Sequence, residues 1–274
     1  MRLAPALTAA LAPALLGGGA VAFGACGGTE FIAGADDAGP STDAPVVTGP
    51  KQSFCEIEAG THTFCDDFDD EYDGSTLTSL WPDYDRTTGG TAQDDPTIFV
   101  SPPSSFEAAC EGSVGTIVRG RVGKTFAPAS RVVIAFDLHL DAVGAKPNVA
   151  GGTTFVLLTL GPNYSLGLTA NSTAVNGYED ITAADGGVTD NDEMVTATPA
   201  ILGSWVHVSV DANLAERQLS ANVNGTAFGP IALTPPTQTA STTAPAVFIG
   251  LSSREVVAPV EAHYDNVTID VTPQ

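Results

Sequence analysis

Arg131-Val132-Val133-Ile134-Ala135-Phe136-Asp137-Leu138-His139-Leu140-Asp141 is the stretch on which the fold turns. Val132, Ile134, Phe136, Leu138 and Leu140 fall on one side of an extended chain, and Asp137, His139 and Asp141 on the other. Side chains of a strand point alternately to opposite faces, so a period of two sets an apolar face against a core and a polar face away from it. The logic repeats from Trp205 to Asp211, with Val206, Val208 and Val210 inward, and from Arg217 to Val223, with Leu219, Ala221 and Val223 together. Asn224-Gly225 then reads as a hairpin turn, because both turn positions need positive φ. Thr153 to Leu160, Tyr164 to Ala170, Pro245 to Ser252 and Glu261 to Val271 read as further short strands separated by Pro and Gly. Such a series, with no long helical period, predicts an all-β protein: an antiparallel two-sheet jelly-roll β-sandwich.

The chain has 274 residues, with 10 Lys+Arg against 32 Asp+Glu and a formal net charge of −22. Only 15% of residues are charged, so the imbalance comes from a scarcity of Lys and Arg. Such a surface repels nucleic-acid phosphates and anionic lipid, and suits cations, neutral sugars or basic partners. An apolar content of 43% is too high for a chain disordered throughout.

Residues 1–25 have the order of a bacterial export signal: Arg2, an Ala- and Leu-rich stretch to Phe23, then Gly24 and Ala25. Pro5, Pro13 and the run Gly17-Gly18-Gly19 suit a permanent membrane helix poorly, which favours removal. Phe23-Gly24-Ala25-Cys26 resembles a lipobox, which implies acylation of Cys26 and anchoring at the bacterial outer membrane or cell surface. The alternative is ordinary cleavage with no lipid. Cleavage before Cys26 takes Arg2 and no acid, moving the formal charge from −22 to −23. Residues 26–52 are small, polar and turn-rich and read as a flexible linker. Residues 53–274 are long enough for one β domain.

Three stretches carry a family resemblance. They are Phe64-Cys65-Asp66-Asp67-Phe68-Asp69 with the following Leu80-Trp81, Trp205 to Asp211 running on to Val223-Asn224-Gly225, and Tyr264-Asp265-Asn266-Val267-Thr268-Ile269. In this order they resemble the concanavalin A-like lectin/glucanase superfamily, and within it the laminin G-like jelly rolls of secreted bacterial proteins. The resemblance spans about residues 60 to 272. It implies that the opening and closing strands lie side by side. A structural calcium ion lies there in many relatives, which implies Asp67, Asp69 and Asp265 as ligands here. The acidic run from Asp66 to Asp73 suits a cation, and equally suits a solvated edge that blocks strand pairing.

Fold does not fix function. Glycosidases of this superfamily often carry E-x-D-x-x-E on one strand; Glu71-Tyr72-Asp73 starts that pattern and Thr76 breaks it. No G-x-S-x-G elbow, H-E-x-x-H helix or P-loop occurs. His139 and His207 alternate with core residues; on neighbouring strands they could hold a metal or a sugar, and otherwise they are ordinary surface histidines. Tyr178, between Gly177 and the acids Glu179 and Asp180, is the aromatic candidate for sugar contact. The acids Asp185, Asp190, Asp192 and Glu193 read as a solvated Gly-rich loop. In an exported chain Cys55 and Cys65 are the preferred disulfide, leaving Cys110 free, with Cys110 paired to either as the alternative. The reading that follows is a non-catalytic surface binding or adhesion module for a polysaccharide. A divergent glycoside hydrolase and a structural envelope protein are the alternatives.

Overall fold

A computed structural model describes residues 52–69, 75–143, 152–182, 188–234, 244–256 and 259–274. The export signal, Cys26, the linker and the acids Asp70, Glu71, Asp73 and Asp185 lie outside these residues.

The strands in chain order are β1 (Phe64–Asp66), β2 (Asp85–Arg86), β3 (Gly90–Asp95), β4 (Ser105–Cys110), β5 (Ser113–Thr125), β6 (Ala129–Ala142), β7 (Thr153–Thr159), β8 (Tyr164–Ala170), β9 (Ala174–Thr182), β10 (Val188–Ala197), β11 (Trp205–Asn213), β12 (Gln218–Val223), β13 (Thr226–Ala232), β14 (Ala246–Val256) and β15 (Val260–Pro273). They form two antiparallel sheets. One has eight strands in the order β13-β12-β11-β6-β15-β4-β3, with β1 also on β15. The other has seven, in the order β10-β9-β8-β7-β14-β5-β2. This is an antiparallel two-sheet jelly-roll β-sandwich.

The alternation in β6 does what its pattern dictates. Val132, Ile134, Phe136, Leu138 and Leu140 are all buried between the sheets. They meet Val206, Val208 and Val210 of β11 and Leu219, Ala221 and Val223 of β12 in one core. Each fully buried side chain of this size contributes about 1.5–3 kcal/mol.

An aromatic chain threads the core from the first strand to the last. Phe64 stands edge-on to Trp81 at 4.8 Å, Trp81 stacks on Phe68 at 6.3 Å, and Phe68 stacks on Phe106 at 5.3 Å. Phe106 lies 5.9 Å from Tyr264, which lies 5.7 Å from Phe136. Tyr264 then spans the sandwich: its hydroxyl donates to the Phe155 carbonyl of the opposite sheet at 3.1 Å. The two ends of the domain lie side by side as expected, with Phe64 opposite Ile269 and Asp66 opposite Val267. Cys55 and Cys65 form the disulfide, stapling the short helix α1 (Phe54–Ile57) to β1. Cys110 is free and buried, and burial pushes its thiol up to about 11, away from the reactive thiolate.

At one flank the sheets nearly touch. A Cβ on Gly120 would stand 1.8 Å from the Thr91 carbonyl oxygen, and one on Gly90 1.8 Å from that of Arg119. Only glycine permits backbones this close.

Two expectations need correction. The segment with Asp190, Asp192 and Glu193 is strand β10, paired with β9, and not a loop. Tyr178 is 5% exposed and sits in the middle of β9, so it is not a displayed aromatic. Its flanking acids suggested an exposed position, yet Glu179 faces inward. The Glu179 carboxyl group accepts from the Tyr164 hydroxyl at 2.7 Å and from the Thr234 amide at 2.8 Å, bonds that offset the cost of burying it.

Candidate functional site

The outer face of the eight-stranded sheet is where the polar half of the alternation collects. Strand register lines up Trp205, His139, His263, Glu107 and Gln93 in one row across β11, β6, β15, β4 and β3. The next row holds His207 opposite Asp137 and Asp137 opposite Asp265. Asp141 and Glu261 lie at the other flank of the first row, near the ends of β6 and β15.

These side chains are tied together. The His207 Nδ1 is 3.0 Å from Asp137 Oδ1, and the Asn266 amide donates to Asp137 Oδ2 at 2.8 Å. Gln93 donates to Glu107 at 2.8 Å. The His139 ring lies 5.5 Å from Trp205 and 6.2 Å from His263. His139 and His207 thus do lie on neighbouring strands of one face. Tyr178, on the other sheet, is not part of this group.

His263 is the residue that sequence reasoning passed over. It is 2% exposed, with Asp95 Oδ2 3.1 Å from Nδ1 and Asp141 Oδ2 3.2 Å from Nε2. The alternation Glu261, His263, Asp265 was present in the sequence as a signal. What was missing was the pairing of β15 with β6, which sets His263 directly opposite His139.

The three residues expected to hold calcium are divided. Asp67 and Asp69 line a cleft of about 640 Å³ with Glu56, Asp66 and the Pro102-Pro103 turn. Asp67 there accepts from the Cys55 amide at 2.8 Å. Asp265 does not line that cleft. Its carboxylate takes four donors: the amides of Val100 and Ser101, the Ser101 hydroxyl and the Asn266 amide, each at 2.8 Å. It is the clamp that fastens the loop between β3 and β4 to a bulge in β15. Burial raises this carboxyl to about 6, against the pull of those donors.

The face is acidic. Asp95, Glu107, Asp137, Asp141, Glu261 and Asp265 lie on it, while Arg131, further along β6, is paired with Asp211. A polyanion such as a uronate polymer would be repelled from it.

The sequence matches no protein-family model and no curated protein. Solved structures with a similar fold include the cellulose-induced protein Cip1, at 17% identity over 77% of this chain and 98% of that one, with a TM-score of 0.52. They also include an endo-β-1,4-glucuronan lyase from the fungus Trichoderma reesei, at 11% identity over 77% and 96%, with a TM-score of 0.54. At such identities the likeness is one of fold.

The clamp makes a prediction. In Asp265→Asn the new amide would turn its own N–H groups toward backbone donors, leaving buried donors unpaired. This should destabilise by about 1–3 kcal/mol, read as a lower urea midpoint. An unchanged midpoint would show that the carboxylate does not hold the loop.

Proposed function

We propose that this chain is a non-catalytic binding module for a neutral polysaccharide, carried on the outside of a bacterium. The observation that carries this reading is the row Trp205–His139–His263–Glu107–Gln93, in which Trp205 stands beside His139 at one end and Glu107 and Gln93 offer hydrogen-bonding groups at the other, with His263 buried between them. Sugars are held by just such pairs of apolar face and fixed polar group. The likeness in fold to Cip1 and to a glucuronan lyase supports a carbohydrate-related role. The acidic surface argues for neutral glycans over uronate polymers.

A second reading, glycoside hydrolysis, has one observation in its favour. Carboxylate oxygens of Asp141 and Glu261 lie within 4.8 Å of each other on that face. Retaining glycosidases set their two carboxyl groups about 5–5.5 Å apart. Here His263 stands against both acids, at 3.2 and 3.6 Å, which leaves no room for a sugar between them. Binding without cleavage is therefore preferred.

Calcium belongs to the proposal as a structural ion at the cleft of Asp67 and Asp69, with Asp265 acting elsewhere. The anchor is acylated Cys26.

Pull-down on insoluble neutral polysaccharides (cellulose, xylan, chitin), with alginate as the anionic control, tests the function. The protein should bind at least one neutral polymer and not alginate, release no reducing ends, and lose about tenfold in affinity (~1.4 kcal/mol) in Trp205→Ala. Calcium should raise the melting temperature and a chelator lower it. Binding to alginate alone, or steady release of reducing ends, would contradict the reading. In cells, labelled palmitate should enter the wild-type chain and not Cys26→Ala; equal labelling would remove the anchor.

A further inference from the structure

The row of polar side chains contains a second arrangement that sugar binding does not need. We propose that Asp141, Glu261 and His263 form a site for a first-row divalent cation of borderline softness, with Zn²⁺ as the representative ion.

Three observations converge. First, the ligand atoms are gathered: one atom from each of the three residues lies within 4.8 Å of the others. His263 Nε2 is 3.2 Å from Asp141 Oδ2 and 3.6 Å from Glu261 Oε1. Zn²⁺ sits about 2.0–2.2 Å from such nitrogen and oxygen ligands, which sets neighbouring tetrahedral ligands about 3.4 Å apart. Both edges bracket that value.

Second, His263 is 2% exposed, yet neither ring nitrogen makes a hydrogen bond. Carboxylate oxygens stand within reach but off the line of an N–H. A buried imidazole without a hydrogen bond is costly unless something else meets its lone pair. Oxygens ranged beside a nitrogen's axis, and not on it, are what a shared cation requires.

Third, the surroundings would orient such ligands. Asp95 Oδ2 lies 3.1 Å from His263 Nδ1, off the line of a hydrogen bond, and is the acceptor that Nδ1–H would turn to once a cation takes Nε2. Asp95 is itself fixed by the amide and hydroxyl of Thr97 at 3.0 and 2.6 Å. His139 Nδ1 lies 3.0 Å from Asp141 Oδ1, the oxygen not turned to His263.

The donor set decides the class of ion. One imidazole nitrogen with two carboxylate oxygens suits Zn²⁺, Co²⁺ or Mn²⁺. Calcium prefers six to eight oxygens and is disfavoured. Three protein ligands leave a fourth position, and Glu261 is 46% exposed, so that position opens toward solvent.

Metal-stripped protein titrated with Zn²⁺ against a chromophoric chelator tests the site. One Zn²⁺ per chain should be taken up. Glu261→Gln and Asp141→Asn should each weaken it by at least about tenfold. His62→Ala, which alters a separate His–Asp pair at Asp270, should leave it unchanged. Glu261 is partly exposed, so its substitution keeps the core intact, and an unchanged melting temperature of the metal-free variant verifies this. Absence of Zn²⁺ uptake, or uptake undiminished by both carboxylate substitutions, overturns the proposal and leaves His263 as a buried side chain lying between Asp95 and Asp141. Neither outcome depends on polysaccharide binding.

Discussion

Tyr264 is the residue through which the sandwich is held shut. Its ring packs between Phe106 and Phe136, and its hydroxyl reaches the backbone of the opposite sheet at Phe155. It is wholly buried, so its phenol stays protonated well above the usual range and keeps donating. Around it the aromatic chain from Phe64 to Phe136 joins the opening strand, the closing strand and the central strand β6. The burial of these rings offsets the entropy of pairing strands far apart in sequence.

The same constraint makes the functional face. With Tyr264 turned inward, His263 and Asp265 on either side must turn outward. β15 lies between β6 and β4, so His263 meets His139 on one side and Glu107 on the other. A core requirement on one residue thus places a titratable group on the opposite side of the sheet. The Asp265 clamp extends this, since it holds the loop between β3 and β4 against the edge of the polar patch. Packing, loop placement and site geometry come from consecutive residues of one strand.

Much of this was legible in the sequence, for a local reason. Strong alternation in β6, β11 and β12 is a property of neighbours, and it placed the core side chains correctly. The disulfide between Cys55 and Cys65 was legible because its loop is short. The candidate site was less so. His139 and His207 were identified as outward, but His263 acquires its meaning only from a pairing across more than a hundred residues. Tyr178 misled because its acidic neighbours suggested an exposed position, whereas Glu179 is itself buried and bonded to Tyr164 and Thr234. Asp265 was assigned to a metal because relatives of the resembled superfamily carry calcium where the opening and closing strands meet; the amides that occupy it come from a loop that no local pattern announces.

The most direct test is hydrogen exchange, because the account rests on β6 and β15 being the locked centre of the sandwich. Peptides covering Ala129–Ala142 and Val260–Pro273 should exchange slowest of all, opening only with global unfolding, while the outer strands β13 and β10 exchange sooner. Exchange in Val260–Pro273 as fast as in β13 would show that the closing strand is not held there, and the outward row of histidines and acids would lose its foundation.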